Sequence, residues 1–316
     1  MIMKIVTLIP VKNEGWILRF SLKNFSLFSD EIIILDDSSS DNLCEIVKEF
    51  PKVKTIPFIS KEKFVDMSLR RNILLEEGRK IKGTHFVFLD ADEIFSENLA
   101  KYFNEVVFEM KKGEKLLLPW VTAIQKDDFL FFNSKDKKNY KDFIFCDDGV
   151  SKFKQQSLSE ARTPGDELVK KYISFEKGFA IHFQCLIKKK YDLKQAWYRA
   201  NELFEAKRSA RRINATYNFT KFEFKTDGNK LDDKFVKDNF ILIEQNISVD
   251  FYINQFKHFF KEKGILFFEP LDIWHISELK DIFVAEYGRD PRKKVFPGWL
   301  LCLNSVKNIV KNKILS

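Results

Sequence analysis

The sequence predicts an α/β fold in which helices flank a mostly parallel central sheet, followed by a helical C-terminal extension. Three observations predict it. Apolar, β-branched runs recur through the first hundred residues, stretches with helical spacing separate them, and strand signals become scarce after residue 232. Apolar strands that alternate with amphipathic helices are typical of βαβ units. A chain of 316 residues is long enough for one large domain or two ordinary ones, with a core that needs no disulfides.

Four strands and three helices are predicted in the first hundred residues. The strands are expected at residues 2–9, 31–35, 53–58 and 85–89. We expect Asn13 to cap the first helix and either Ser40 or Asp41 to cap the second, because short polar side chains satisfy the first backbone amides of a helix. The third helix is expected from about residue 65 to residue 81.

The pattern changes after Lys115, where strand-like segments are joined by loops rich in lysine and aspartate. Strands are predicted at residues 116–124, 129–132, 143–145 and 178–183, and a long charged helix from Asp192 to about Arg212. The predicted domains are a first domain at 1–215, with halves at about 1–110 and 111–215, a helical extension at 216–288 and a basic tail at 289–316.

The formal net charge of +8 is concentrated at the C-terminal end of the chain. Residues 289–316 carry seven cationic side chains and one anionic side chain, so the preceding 288 residues have a net charge of only +2. Apolar residues alternate with the lysines of this tail, which predicts an interfacial helix on an anionic membrane surface. The alternative is a helix that packs on the domain with its lysines in solvent. The near-neutral remainder does not favour nucleic acid as a partner.

The cysteines indicate a reducing compartment. Cys44, Cys146, Cys185 and Cys302 lie far apart and form no CxxC pair, which opposes both a zinc ribbon and a dense disulfide framework. The N-terminus lacks the features of a signal peptide, and no apolar run reaches the length of a membrane span. We therefore expect a cytoplasmic protein, with contact at the inner face of the plasma membrane through the tail.

Polar residues follow three of the predicted strands. Residues 10–14 follow the first strand, Asp36 and Asp37 follow the second, and residues 90–93 follow the fourth. Ligands bind beyond the carboxyl ends of strands in open α/β sheets, and unpaired carboxylates gathered there would repel one another. A divalent cation with a bound nucleotide would relieve this repulsion. The oxygens of Asp90 and Asp92 suit Mg²⁺ or Mn²⁺, although an acidic turn in solvent is the alternative for such a pair taken alone.

Four motifs together resemble family 2 glycosyltransferases of the GT-A fold, a Rossmann-like architecture. They are Ile9–Glu14, Leu35–Asp41, Arg70-Arg71-Asn72 and Phe88–Glu93, in the order and at the spacing of that family. The resemblance covers roughly residues 1–100 and is looser beyond them. It implies metal-dependent transfer of a hexose, with inversion, from a nucleotide-diphosphate sugar to a hydroxyl. The acceptor would be a cell-surface glycan or a lipid-linked saccharide, as in polysaccharide or lipopolysaccharide biosynthesis.

The resemblance also implies roles for individual residues. Those implied to contact the nucleotide sugar are Pro10, Asn13, Glu14, Asp36, Asp37, Arg71, Asp90 and Ala91. Those implied to hold a divalent metal, Mn²⁺ or Mg²⁺, are Asp92, Asp90 and His182. Glu93 extends the acidic motif on the metal or acceptor side. For His182 the alternative is a core histidine, and for Arg70 and Arg71 it is an exposed helix face.

An inverting transfer needs a general base for the acceptor hydroxyl. The candidates are Glu160, Asp166 and Glu167, of which we favour Glu160, and Asp147 and Asp148 are alternatives. The usual acidic signature of the family is not cleanly present in this region. A glycosyltransferase-like protein without activity therefore stays open as an alternative.

Two other function classes fit the sequence less well. A nucleotidyltransferase on a related sheet would carry a glycine-rich phosphate loop after the first strand, whereas Gly15 is the one glycine there. A nucleic-acid-binding module would need basic and aromatic residues on one surface, whereas the strand ends are acidic.

Overall fold

The structure is a computed structural model. It describes residues 3–59, 67–154, 162–165, 168–206, 208–217, 227–240 and 249–291. The chain divides into two compact units, of which the first comprises Met1–Leu186 with Thr226–Ile243 and the second comprises Ile187–Lys225 with Glu244–Ser316. A compact unit is not by itself a domain that folds alone, so the predicted domain bounds stay predictions.

The first unit alternates strands and helices through its N-terminal part, as predicted. Its strands are β1 (Ile5–Val11), β2 (Glu31–Asp36), β3 (Val53–Pro57), β4 (His85–Phe88), β5 (Glu93–Phe95), β6 (Lys115–Thr122), β7 (Ile124–Lys126), β8 (Phe129–Phe132), β9 (Tyr140–Cys146), β10 (Lys170–Tyr172), β11 (Ala180–His182) and β12 (Asn229–Lys230). Its helices are α1 (Gly15–Phe25), α2 (Leu43–Val47), α3 (Met67–Lys80), α4 (Glu97–Lys101), α5 (Phe103–Phe108) and α8 (Lys234–Asn239), with a 3₁₀ turn at Ser134–Lys138.

Nine strands of the described residues form one sheet in the order β3-β2-β1-β4-β9-β6-β11-β5, with β10 also paired to β6. The pairs among β1, β2, β3 and β4 are parallel, as are those of β6 with β10 and β11. β9 runs antiparallel between β4 and β6, and β11 runs antiparallel to β5. The predicted α/β fold with a mostly parallel sheet is therefore confirmed. A small second sheet of the described residues has the order β12-β8-β7.

The central strands β1, β2 and β4 are buried on both faces, which explains their largely apolar sequences. In β2, Ile32 and Ile34 pack into the core formed with α1, whereas Ile33 and Leu35 pack with Leu74 of α3 on the other face. Successive side chains of a strand point to opposite faces, so both sets must be apolar. The two helix layers fix the positions of the strand ends.

The helix caps differ from those predicted. Asn13 does not cap α1. It has a positive φ of 54°, and its Oδ1 accepts a hydrogen bond from the Ser40 backbone amide at 2.8 Å. Asp41 instead bonds the starts of two helices, because its Oδ2 accepts from the Gly15 amide at 2.7 Å and its Oδ1 from the Leu43 amide at 3.3 Å. The cap prediction for Asn13 was wrong because the loop after β2 supplies the oxygen.

The second unit, in its described residues, is helical, which confirms the predicted C-terminal helices. Its helices are α6 (Lys188–Phe204), α7 (Ala210–Thr216), α9 (Asp250–Lys263), α10 (Ile265–Phe268) and α11 (Ser277–Tyr287). Aromatic side chains pack between them, with ring centroids 6.0 Å apart for Phe259 and Phe268 and 5.0 Å apart for Trp274 and Phe283. Within the residues described, no helix has both the length and the hydropathy to cross a membrane.

The long helix predicted from Asp192 to Arg212 is two helices. α6 begins earlier, at Lys188, and ends at Phe204, and α7 begins only at Ala210. Between them Ala206 has a positive φ of 52°, which a helix does not permit. Ser209 precedes α7 with extended backbone angles, as an N-cap residue does.

Candidate active site

The polar residues predicted at the strand ends lie at one edge of the sheet. β1 is parallel to both β2 and β4, and Val11 is paired with Asp36 in the register of β1 and β2. Residues 12–14, Asp37 and residues 90–93 therefore follow neighbouring parallel strands, at the edge where α/β proteins bind ligands.

Asp37 is the centre of a buried charge cluster. It is 5% exposed, and its Oδ2 lies 2.5 Å from Arg70 Nη2 and 3.2 Å from Lys12 Nζ. Lys12 Nζ also donates to the Asp37 backbone carbonyl at 2.8 Å. Two cations on one buried carboxylate hold it in a fixed orientation.

The loop after β1 is hydrogen-bonded to the loop after β2, and the second loop also carries a bond of its own. The Asn13 amide donates to Ser39 Oγ at 3.0 Å, and the Ser39 amide donates to Asp36 Oδ1 at 2.9 Å. Ser38 shares the positive φ of Asn13, at 55°. Both loops are thus held in shape by their own polar groups. Pro10 and Glu14, which are also predicted to contact a nucleotide, are partly exposed.

Three consecutive residues of α3 make three different contacts. Arg70 binds Asp37, Arg71 Nη2 lies 3.9 Å from Asp90 Oδ1, and Asn72 exchanges two hydrogen bonds with the backbone of Phe153, at 2.9 and 3.0 Å. Both arginines are only 7% exposed. The alternative that they form an exposed helix face is therefore wrong.

Asp90 lies between two arginines. Its Oδ2 is 3.2 Å from Arg162 Nη2, and its Oδ1 faces Arg71. Burial alone would raise the pKa of the Asp90 carboxyl, but the two guanidinium groups outweigh it and lower that pKa below its ordinary value. Asp90 is accordingly ionised. Its neighbour Ala91 is 2% exposed, and the Ala91 carbonyl accepts from Ser21 Oγ of α1 at 2.6 Å.

Asp92 and His182 lie together. β11 brings His182 opposite Glu93 in an antiparallel pair, and His182 Nε2 is 3.3 Å from Asp92 Oδ2. Both residues are 5% exposed, and the Phe183 amide donates to the Asp92 carbonyl at 2.8 Å. The Nδ1 atom of His182 is buried and has no hydrogen-bond partner within the described part of the chain.

Glu93 is the most deeply buried carboxylate of the cluster, at 0% exposure. Arg162 grips it with two bonds, of 2.5 and 2.6 Å, and Trp120 Nε1 donates to it at 2.8 Å. Burial raises the pKa of the Glu93 carboxyl, although the charge of Arg162 acts in the opposite direction. Burial lowers the pKa of the Arg162 guanidinium, but its carboxylate partners outweigh burial and raise that pKa overall. The donors around Glu93 fit its ionised form, because an ionised carboxylate accepts only.

The short segment that carries Arg162 is fixed to the sheet by a second carboxylate. Asp142 Oδ2, on β9, accepts from Thr163 Oγ1 at 2.6 Å and lies 3.8 Å from Nζ of the buried Lys115. Thr163 is 1% exposed. Arg162 therefore reaches the strand ends from a backbone that is itself anchored.

The candidates for a general base fall into two groups. Glu160, Asp166 and Glu167 lie outside the described residues. Asp147 pairs with Arg79 at 2.8 Å, and Asp148 Oδ2 accepts from Ser151 Oγ at 2.6 Å. β9 runs antiparallel to β4 with Cys146 opposite His85, so both aspartates follow at the end of the sheet where β4 begins. This position opposes Asp147 and Asp148 as bases for chemistry at Asp90.

Arg162 and Trp120 are the members of the site that the sequence did not single out. Trp120 lies in β6 and stacks on the His182 ring, with centroids 4.8 Å apart. Each reaches Glu93 across many residues of chain, and no feature of the sequence links either of them to the acidic motif. Among the residues that the structure describes, no group of three or more His, Cys, Asp or Glu side chains is arranged to hold a metal ion.

Comparison of the sequence with known families finds one match. The model of the family described as Glycosyl transferase family 2 matches residues 7–192. None of the curated proteins compared with the chain matches it.

Several solved structures are similar in fold. S. aureus TarS 1-349 is 14% identical, with a TM-score of 0.43 over 94% of this chain and 95% of that chain. The mannosyltransferase PcManGT from Pyrobaculum calidifontis, in complex with GDP-Man and Mn²⁺, is 10% identical, with a TM-score of 0.39 over 97% and 80%. Glucosyl-3-phosphoglycerate synthase from Mycobacterium tuberculosis, in complex with Mn²⁺ and UDP-Glc, is 18% identical, with a TM-score of 0.28 over 38% and 44%.

Proposed function

The chain belongs to glycosyl transferase family 2, and we propose that it transfers a hexose, with inversion, from a nucleotide-diphosphate sugar to a hydroxyl of a cell-surface glycan or lipid-linked saccharide. The observation that carries the proposal is the pairing of Asp92 with His182 at the same sheet edge as Asp37 and Asp90. That edge brings together a carboxylate and an imidazole that could bind a metal and two further carboxylates that are held in position by cationic side chains.

The nucleoside and sugar are proposed to bind along the loops after β1, β2 and β4. The proposed contacts are Pro10, Asn13, Glu14, Asp36, Asp37, Arg71, Asp90 and Ala91. Asp37 and Asp90 are each held by two cationic side chains, so their carboxylates enter the complex already oriented. Oriented acceptors lower the entropic cost of binding hydroxyl and amide donors of a nucleotide.

A divalent cation, Mn²⁺ or Mg²⁺, is proposed to bind at Asp92 and His182. Carboxylate oxygen and imidazole nitrogen both suit Mn²⁺, and their separation of 3.3 Å is close to the ~3.0 Å expected of two adjacent ligands about 2.1 Å from one ion. When bound, the ion would neutralise charge on the departing nucleoside diphosphate. Asp90 was predicted for the metal as well, but its two arginine partners favour contact with the nucleotide sugar.

The acceptor hydroxyl needs a base, and we propose Glu160 ahead of Asp166 and Glu167. Glu160 precedes Arg162 by only two residues, and Arg162 contacts Asp90. Its closeness in sequence to a residue that contacts Asp90 supports Glu160 as the base, and a base must lie within hydrogen-bond reach of the hydroxyl.

Turnover of a nucleotide sugar is the direct test of the proposed function. We expect hydrolysis or transfer from at least one donor in a panel of UDP-, GDP-, CDP- and dTDP-sugars with Mn²⁺ or Mg²⁺. Chelation of the metal should abolish it, because Asp92 and His182 alone do not neutralise a leaving diphosphate. Release of nucleoside diphosphate measures the rate. Failure of every donor to bind or react would refute the proposal.

The proposed location is the cytoplasm, with contact between the tail at 289–316 and an anionic membrane. Nearly all of that tail lies outside the described residues. The full chain should sediment with liposomes of anionic lipid, because basic residues interleaved with apolar ones bind such surfaces. A chain that ends at residue 288 should stay in the supernatant. Equal sedimentation of the two chains would show that the tail makes no membrane contact.

A further inference from the structure

We propose that Glu93 and Arg162 are positioning residues, which together hold the Asp90 carboxylate and the Trp120–His182 stack in the geometry that sugar transfer requires. The inference rests on the proposed function for its effect on catalysis. Its structural part, that one carboxylate fixes both sides of the site, stands on contacts within the first unit.

Glu93 accepts four hydrogen bonds while fully buried. Its Oε2 accepts from the Asp90 backbone amide at 2.9 Å and from Arg162 Nη1 at 2.5 Å. Its Oε1 accepts from Arg162 Nη2 at 2.6 Å and from Trp120 Nε1 at 2.8 Å. Four donors use the acceptor capacity of a carboxylate, so Glu93 has little left for a metal.

The first branch of this network fixes Asp90 twice. Glu93 holds the backbone of Asp90 directly, and Arg162 carries its second interaction to the Asp90 side chain, with Nη2 3.2 Å from Oδ2. A planar guanidinium bound to two carboxylates at once transmits the orientation of one to the other. The Asp90 carboxylate is thereby aimed before any ligand arrives.

The second branch reaches His182 through Trp120. The indole that donates to Glu93 lies nearly parallel to the imidazole, with an angle of 27° between the rings. His182 in turn faces Asp92. A shift of Glu93 would therefore move the support of the proposed metal pair as well as Asp90.

Stability alone is a poor reason for this ion pair. Buried ion pairs are often no more stabilising than apolar residues of the same volume. The pair of Arg79 with Asp147, at 2.8 Å, makes a useful comparison, since its side chains are 14% and 11% exposed and those of Arg162 and Glu93 are 11% and 0% exposed. It lies at the end of the sheet where β4 begins and contacts none of the proposed site residues in the described chain.

The test compares Arg162→Lys and Arg162→Met with the matched variants Arg79→Lys and Arg79→Met. We expect similar losses of melting temperature at the two positions for each substitution. Only the Arg162 variants should lose kcat, by about 10- to 100-fold, because misplaced groups around a reactive centre cost factors of that size. Arg162→Lys keeps the charge but cannot grip two carboxylates in the same way, so it should fold and still lose kcat.

A second measurement does not depend on activity. Crystal structures of Arg162→Lys and of the unaltered protein should show the Asp90 carboxylate rotated and the Trp120 indole displaced in the variant. Unchanged positions, or a kcat for Arg162→Lys equal to that of Arg79→Lys, would overturn the proposal. An unaltered protein that reacts with no donor would refute the proposed function instead, and the two crystal structures alone would then decide on positioning.

Discussion

Replacing Asp92 with asparagine is expected to lower the turnover of the nucleotide sugar by at least about 100-fold, since the charge that a metal supplies to a leaving diphosphate is worth several kcal/mol. Asparagine has nearly the same shape as aspartate, so the buried position next to the His182 imidazole should remain filled. Its amide is a much weaker ligand for Mn²⁺ than a carboxylate. The affinity for Mn²⁺, measured by calorimetry, should fall together with the rate.

Asp281→Asn is the matched control for this substitution. Asp281 is exposed on α11, so the same loss of one negative charge should leave both the rate and the Mn²⁺ affinity unchanged. Normal turnover by Asp92→Asn, with its dependence on metal intact, would remove Asp92 from the metal site.

Replacing Asp37 with alanine is expected to cost about 3–5 kcal/mol of unfolding free energy, the usual result of removing one partner of a buried ion pair. Arg70 would lose its carboxylate while only 7% exposed, whereas Lys12 is exposed enough to turn towards solvent. Denaturant titration measures the loss. The variant should also bind nucleoside diphosphate more weakly, because the proposed contact is gone.

Two further variants separate the stability of this cluster from its binding role. Glu49→Ala removes an ion pair of similar geometry, 2.6 Å from Arg19, whose side chains are about half exposed, so its stability should hardly change. The double variant Asp37→Leu with Arg70→Met should recover stability without recovering nucleotide binding. Nucleotide affinity that returns with stability would show that Asp37 contributes only to the fold.

The sequence predicted most of the strands in residues 1–110, because the signal for each strand lies within a few adjacent residues. β1, β2 and β4 are largely apolar runs that are buried on both faces, and each ends at a polar cluster that interrupts it. The positions of Asp37, Asp90 and Asp92 at one edge follow from parallel pairing alone. Such information is contained in adjacent residues and needs no knowledge of distant contacts.

The partners of those residues could not be predicted in the same way. Arg162 is 69 residues from Glu93 in sequence, and its role depends on how Asp142 anchors the following residue, Thr163. The division of the predicted long helix into α6 and α7 has a similar cause. Glu205 and Ala206, which follow α6, are good helix formers, and the break shows in the positive φ of Ala206 and the extended backbone of Ser209.

The first unit consists of two separate stretches of sequence, which limits where the chain can be truncated. Residues 226–243 belong to it, and Asp233 among them accepts hydrogen bonds from the amides of Glu97, at 2.8 Å, and Val236, at 3.0 Å. The Asp233 side chain thus accepts hydrogen bonds from the first turn of α4 and from the first turn of α8. An amino-terminal fragment that stops near residue 215 would lack this carboxylate and the Phe235 ring, 5.4 Å from Phe20. The first unit is therefore discontinuous in sequence, and a fragment meant to contain all of it must extend past residue 243.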